Sequence, residues 1–382
     1  MPFDFSESQE NECLVPVTLP DKEAYYYDLL NIKYNFTGRV DAWTANTFIK
    51  EASQLIVNAI KLFEMGYFDC AFYSLRQSLE VSTTMVYLVD IDEEKRQQEL
   101  SKWKSEGQFP MHAKMLKFLK DKGETFRDFR EKLNGYFEQL DAVKSKLNKH
   151  VHKQGFDKFY VARNHPVNRD ESRERFIDEF RRNVESCIGA IAVFRLALDP
   201  FPILLNDEEM YHRTGDMIPE SYTDEFIDKY IGIDHIENYK NTEIYQAHFA
   251  YFAEMEKKKD CVSNVVKHQY INLEELDEIL EQKHLLSESD LKAVLICESS
   301  EKIAKVYALG GLLQYFTNRK SSRTKMSWDS RDFDACSKSE PPLNIPYDEA
   351  FISCFVFGEQ EYFLEHNETL SGEEIKKIET IT

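Results

Sequence analysis

The chain has 382 residues, of which 42% are hydrophobic and 30% charged. That balance excludes a disordered or fibrous protein and leaves length for two domains with separate cores. Its net charge of −20 excludes a surface that attracts nucleic acid everywhere, so a nucleic-acid partner would need a local basic region. The stretch Lys102–Arg163 is such a region, with 15 Lys and Arg against 8 Asp and Glu. A solvated helical surface would explain the same surplus.

Residues 1–42 begin with an irregular stretch carrying Pro2, Pro16 and Pro20, and continue as a Tyr-rich arm over Glu23–Val40. Met1–Cys13 is acidic and polar, unlike a signal peptide. The seven cysteines, at 13, 70, 187, 261, 297, 336 and 354, form no CxxC pair and read as reduced thiols. A cytoplasmic protein without membrane contact is expected.

Helical periodicity starts after Asp41. Thr47–Met65 places Phe48, Ala52, Leu55, Ile56, Ala59, Ile60 and Phe63 on one stripe, and Gly66 interrupts it. Tyr67–Val89 is apolar on most sides, which predicts the buried helix of its domain and an antiparallel partner for the first. Its narrow polar stripe holds Asp69, Tyr73, Arg76, Glu80 and Thr84, with Arg76 and Glu80 one turn apart.

A charged helix over Glu93–Ser105, a short basic one over Met111–Lys120, and one long helix over Thr125–Val151 follow, the last ended by Gly155. After a loop with Asn164, Pro166 and Asn168, Asp170–Leu198 forms another long helix, stopped by Asp199, Pro200 and Pro202. Its apolar run Cys187–Leu198 contains Arg195 and is too short to span a bilayer.

A helical domain over 43–205 and a mostly helical α(+β) region over 206–382 are the expected organisation. In the second region Glu220–Tyr230, Thr242–Met255, Leu273–Leu286 and Glu288–Leu309 read as helices, with a short strand at Val294–Ile296 as the alternative within the last. Thr317–Pro346 reads as a long polar loop or a partly disordered stretch, Phe351–Phe357 and Tyr362–Leu364 as a hairpin, and Ser371–Glu379 as a helix opened by a Ser371/Glu374 capping box.

The candidate chemistry lies in Asp141–Asp157. Asn148 and His152 are one turn apart at the edge of the face that buries Leu147 and Val151. A histidine there suits general acid–base work, and neighbouring lysines suit a developing phosphate charge. The candidate catalytic set is His152, Asn148, Lys146, Arg76 and Glu80, and the RNA-binding set is Lys144, Lys149, His150 and Lys153. His150 and His152 point to different faces and no carboxylate cluster joins them, so neither metal nor cofactor is expected. An ordinary helix-end histidine is the plain alternative for His152.

A core helix reading FYSLRQSLE, followed by a helix ending LNKHVHKQG, resembles the HEPN superfamily of helical domains. The resemblance covers about residues 43–200. It implies a helical bundle, frequent homodimerisation, and roles in defence or RNA processing. In nuclease members an Arg, four to six residues and a His form a composite ribonuclease site across the dimer. His152 fits the motif histidine and Asn148 the polar position, but Leu147 stands in the Arg slot; alternatively Lys146 replaces the Arg. Two functions follow as expectations. One is a non-catalytic or weakly catalytic module binding RNA or a protein partner; the other is a metal-independent endoribonuclease using His152. An enzyme whose site lies in the C-terminal half is a third.

Overall fold

The computed structural model describes residues 16–105, 107, 112–161, 165, 167, 170–214, 220–310, 312–322 and 330–381. The expectations for residues 1–15, the loop residues Asn164, Pro166 and Asn168, Gly311 and the stretch 323–329 lie outside the described residues. The chain is mainly helical, with a small antiparallel sheet near its C-terminus. It divides into two compact units, Met1–Asp207 with Ile218–Ala253, and Glu208–Met217 with Glu254–Thr382. Residues 220–253, expected with the second region, therefore group with the first unit.

In the first unit, α1 (Lys22–Tyr34) is followed by α2 (Ala45–Glu64), α3 (Phe68–Asp90), α4 (Glu93–Lys104), α5 (His112–Asp121), α6 (Glu124–Lys132), α7 (Asn134–Val151) and α8 (Asp170–Leu196). The short helices α9 (Phe201–Leu204), α11 (Asp224–Tyr230), α12 (Ile233–Tyr239) and α13 (Glu243–Ala253) complete it; α10 (Glu208–Arg213) falls in the second unit. The Tyr-rich arm, expected to pack on the first domain, contains α1, which packs against α2 and α8. Tyr25, Leu29 and Ile32 of α1 recur at helical spacing and are buried, and the Tyr25 hydroxyl donates to Glu185 of α8 at 2.7 Å.

Helix α3 is the centre, packed against α2, α7 and α8. Phe63 of α2 stacks on Phe180 of α8 with ring centroids 3.7 Å apart, and Phe72 of α3 stacks on the His150 imidazole of α7 at 3.9 Å. The expected long helix over Thr125–Val151 is two helices. It breaks at Leu133, whose backbone leaves helical geometry just before Asn134 and Gly135, both weak helix formers. Asp90 at the end of α3 caps α6 by accepting from the amides of Thr125 and Phe126.

Arg195, in the apolar half of α8, is fully buried with Asp199, at 3.0 Å. Its guanidinium also donates to the carbonyls of Asn35 and Phe36, while Thr37 donates to Asp199 at 2.5 Å. A buried charge pair is tolerated when its remaining hydrogen-bonding capacity is filled, and here the segment after α1 fills it.

In the second unit α10 joins α14 (Asp260–His268), α15 (Leu276–Glu281), α16 (Glu288–Ser299), α17 (Ser330–Ser337) and α18 (Gly372–Glu379). Short 3₁₀ turns flank α15, so the expected continuous helix over Leu273–Leu286 is interrupted. Strands β1 (Ile303–Gly310), β2 (Leu312–Thr317), β3 (Ile345–Tyr347), β4 (Ala350–Phe357) and β5 (Gln360–His366) form one antiparallel sheet in the order β2-β1-β5-β4-β3.

The expected β4–β5 hairpin is present, as are α18 and its Ser371/Glu374 capping box. The expected helix over Glu288–Leu309 ends at Ser299 and resumes as β1, and Val294–Ile296 is helical. β1 is buried on both faces, by α16 and its neighbours on one side and by Phe333 and Cys336 of α17 on the other. It therefore lacks the alternation that marks a half-exposed strand. Thr317–Pro346 is not wholly loop, since it contains α17 and the start of β3.

Candidate functional site

The polar stripe of α3 and the polar face of α7 meet across an open cleft of about 760 Å³, closed on its third side by α5. Arg76 links the two long helices. Its Nε donates to the Asn148 side-chain oxygen at 2.6 Å, and its guanidinium pairs with Glu80 at 2.9 Å. Because Asn148 spends its oxygen on Arg76, its amide nitrogen stays available as a donor.

His112, at the start of α5, holds the third side. Its Nε2 lies 3.1 Å from the Thr83 hydroxyl and its Nδ1 3.0 Å from Lys144 Nζ. The chemistry of the neighbours fixes the tautomer. Thr83 gives its own proton to the Leu79 carbonyl, so it accepts from Nε2–H. An ammonium can only donate, so Nδ1 accepts. His112 is thus a neutral ring with both nitrogens in use. Burial, then the charges of Lys144 and Arg76, pull its pKa down to about 4. Burial likewise lowers the pKa of Lys144, against the opposing pull of Glu80 and Asp141.

Around this rigid floor the rim carries Lys117 and Lys120, both exposed and without an ion pair among the described residues, together with Asp121. The cleft lining therefore presents the cations Arg76, Lys117, Lys120 and Lys144 against the carboxylates Glu80 and Asp121. This is a concave surface of net positive charge on an acidic chain, with donors already oriented.

The structure brings together Arg76, Glu80, Asn148 and Lys144 from the sequence-derived sets, and leaves the others elsewhere. His152 is not among the lining residues. Helix α7 ends at Val151; His152 caps it, its amide still donating to the Asn148 carbonyl at 2.9 Å, and from Lys153, in left-handed geometry, the chain turns away. The His152 side chain is exposed and makes no hydrogen bond among the described residues.

Lys146 points to a different cleft, beside Arg175, Glu179 and Arg182. The assignment of His150 to RNA binding is incorrect. It is only 2% exposed, stacked on Phe72, and bonded through Nδ1 to the Tyr160 hydroxyl at 2.6 Å and through Nε2 to Glu179 at 3.3 Å. Lys153 is also committed inward, paired with Asp69, donating to the Lys158 carbonyl and lying over the Tyr160 ring. Lys149 is exposed but does not line the cleft.

Sequence reasoning missed His112, Lys117 and Lys120. Their signal was the basic helix itself, where positions 112, 116, 117 and 120 share a face by i, i+4 and i+3 steps.

A second serine–histidine contact lies in the sheet. Ser353 and His366 Nε2 are 2.9 Å apart, with His366 Nδ1 bonded to the Glu368 carbonyl at 2.7 Å. Both side chains are fully buried, and Ser353 also accepts from the Asn344 amide, so this is an internal hydrogen-bond node that no substrate reaches. Among the described residues no group of three or more His, Cys, Asp or Glu is placed to hold a metal ion, and no helix is long and apolar enough to cross a membrane. Comparison of the chain with protein-family models, with curated proteins and with solved structures finds no match.

Proposed function

We propose that the first unit is a HEPN-like helical module that binds single-stranded RNA through the cleft between α3, α5 and α7 and does not cleave it. The observation that carries this reading is the convergence of Arg76, Lys117, Lys120 and Lys144 with the oriented amide of Asn148 on one open concave surface. An RNA backbone supplies closely spaced phosphates, and a basic groove that follows them gives affinity without base recognition. The excess of Lys and Arg over Asp and Glu in Lys102–Arg163 supports the same partner.

Ribonuclease chemistry through His152 is the less favoured alternative. Metal-free cleavage needs a group that exchanges a proton with the 2′-hydroxyl while phosphate charge is stabilised beside it. His152 is not among the cleft residues, and the imidazole inside the cleft, His112, has both nitrogens occupied. The homodimer implied by the resemblance stays part of the proposal and is checked by light scattering of the full chain.

Labelled single-stranded RNA titrated with the protein, and incubated with it in the absence of metal, tests the reading. Saturable binding with intact RNA is expected, weakened about tenfold or more by Lys117→Gln with Lys120→Gln. RNA cleavage abolished by His152→Ala would instead establish the nuclease.

A further inference from the structure

A second cleft, of about 580 Å³, opens on another side of α7, between α8 and α11. Its distinguishing feature is the way its charges are used. Arg175, Glu179 and Arg182 follow one stripe of α8 at steps of four and three, and Lys146 of α7 faces them. The two carboxylates of the cleft are engaged by the protein interior. Glu179 accepts from His150 at 3.3 Å, which with the nearby Lys158 and Lys146 holds its carboxyl below the usual range, and Glu185 accepts from the Tyr25 hydroxyl at 2.7 Å. Lys229, on the opposite wall, is paired with Asp28 at 3.1 Å.

Lys146, Arg175 and Arg182 are left. All three side chains are exposed to the cleft and make no hydrogen bond or ion pair among the described residues. Lys146, Arg175 and Arg182 outnumber the two cleft carboxylates, and two guanidinium forks with one ammonium offer more unspent donors than a single carboxylate can accept, which suits an anion with several phosphoryl oxygens.

From this arrangement we infer that the cleft formed by Lys146, Arg175 and Arg182 binds a compact polyphosphate anion, either inorganic pyrophosphate or the phosphate tail of a nucleotide. The site is separate from the RNA cleft and does not depend on it.

Calorimetric titration of the full chain with pyrophosphate, ATP and AMP at low salt tests the inference. Pyrophosphate is expected to bind with Kd below about 1 mM, and AMP at least about tenfold more weakly. ATP matching pyrophosphate identifies the phosphate tail alone as the ligand; ATP binding at least about tenfold more tightly identifies a nucleotide. Arg175→Gln with Arg182→Gln should weaken pyrophosphate at least about tenfold, whereas Lys117→Gln with Lys120→Gln should leave it within about twofold. These exposed side chains carry no core packing, so the variants retain the fold, which circular dichroism verifies. Absence of binding at about 10 mM, or equal loss in both double variants, would overturn the inference. Unchanged affinity in the Arg175/Arg182 variant would do the same.

Discussion

Arg76–Glu80 and Arg195–Asp199 have the same sequence signature, an arginine with an acid one helical turn later, and opposite fates. The first pair is 24% and 20% exposed at the edge of an open cleft, and its arginine reaches across to Asn148 on another helix. The second is 0% and 1% exposed, and its capacity is filled by backbone carbonyls and the Thr37 hydroxyl. Spacing along a helix establishes that two charges meet. Their surroundings decide whether the pair serves a ligand or holds the fold together.

The contrast is broken most severely at the buried pair. Arg195→Met leaves Asp199 charged and unpaired in the core and should cost about 3–5 kcal/mol in denaturant unfolding. Arg76→Met should cost no more than about 1 kcal/mol and reveal itself in RNA affinity. Comparable destabilisation by the two would contradict the distinction.

His150→Leu is the next largest change. It preserves packing on Phe72 but removes the hydrogen bonds to the Tyr160 hydroxyl and to Glu179, so a loss of about 1–3 kcal/mol is expected. RNA affinity should change little, because His150 is interior.

A smaller effect separates the histidines by pH. His112 is held neutral in the folded chain down to about 4, whereas an unfolded histidine takes up its proton near ~6.5. Between these values the unfolded state binds more protons, so this contribution to stability is complete above about pH 6.5 and is lost as pH falls toward 4. His165, likewise depressed to about 4 by burial, acts in the same direction. His112→Gln should flatten part of the acid slope in pH-dependent unfolding; an unchanged slope would contradict the neutral, doubly bonded ring. The smallest effect belongs to His152→Ala, expected within about 0.5 kcal/mol of the parent.

Much of the bundle was legible in the chain. The α2 and α3 stripes, the stop at Pro200 and the Ser371/Glu374 cap each follow from local rules that tertiary packing did not override. β1 was not legible, because burial on both faces removes the period-two signal. Half of the cleft was legible for a related reason. Arg76, Glu80, Lys144 and Asn148 lie on polar stripes of helices whose orientation their apolar faces reveal. The basic face shared by His112, Lys117 and Lys120 is a local pattern, but its placement over α3 is a long-range contact that this pattern does not set. His152 was misleading because one-turn spacing from Asn148, which its backbone hydrogen bond keeps, does not by itself bring an exposed helix-end side chain into the cleft.

The salt dependence of RNA binding tests the role of the α3–α5–α7 cleft most directly. With affinities for one single-stranded RNA measured across salt concentrations, each phosphate contact contributes roughly 0.7 to the slope of log K against log salt. Lys117→Gln with Lys120→Gln should reduce that slope by about 1.4, and His152→Ala should leave it unchanged. A slope that is unaffected by the lysine pair but falls with His152→Ala would contradict the account.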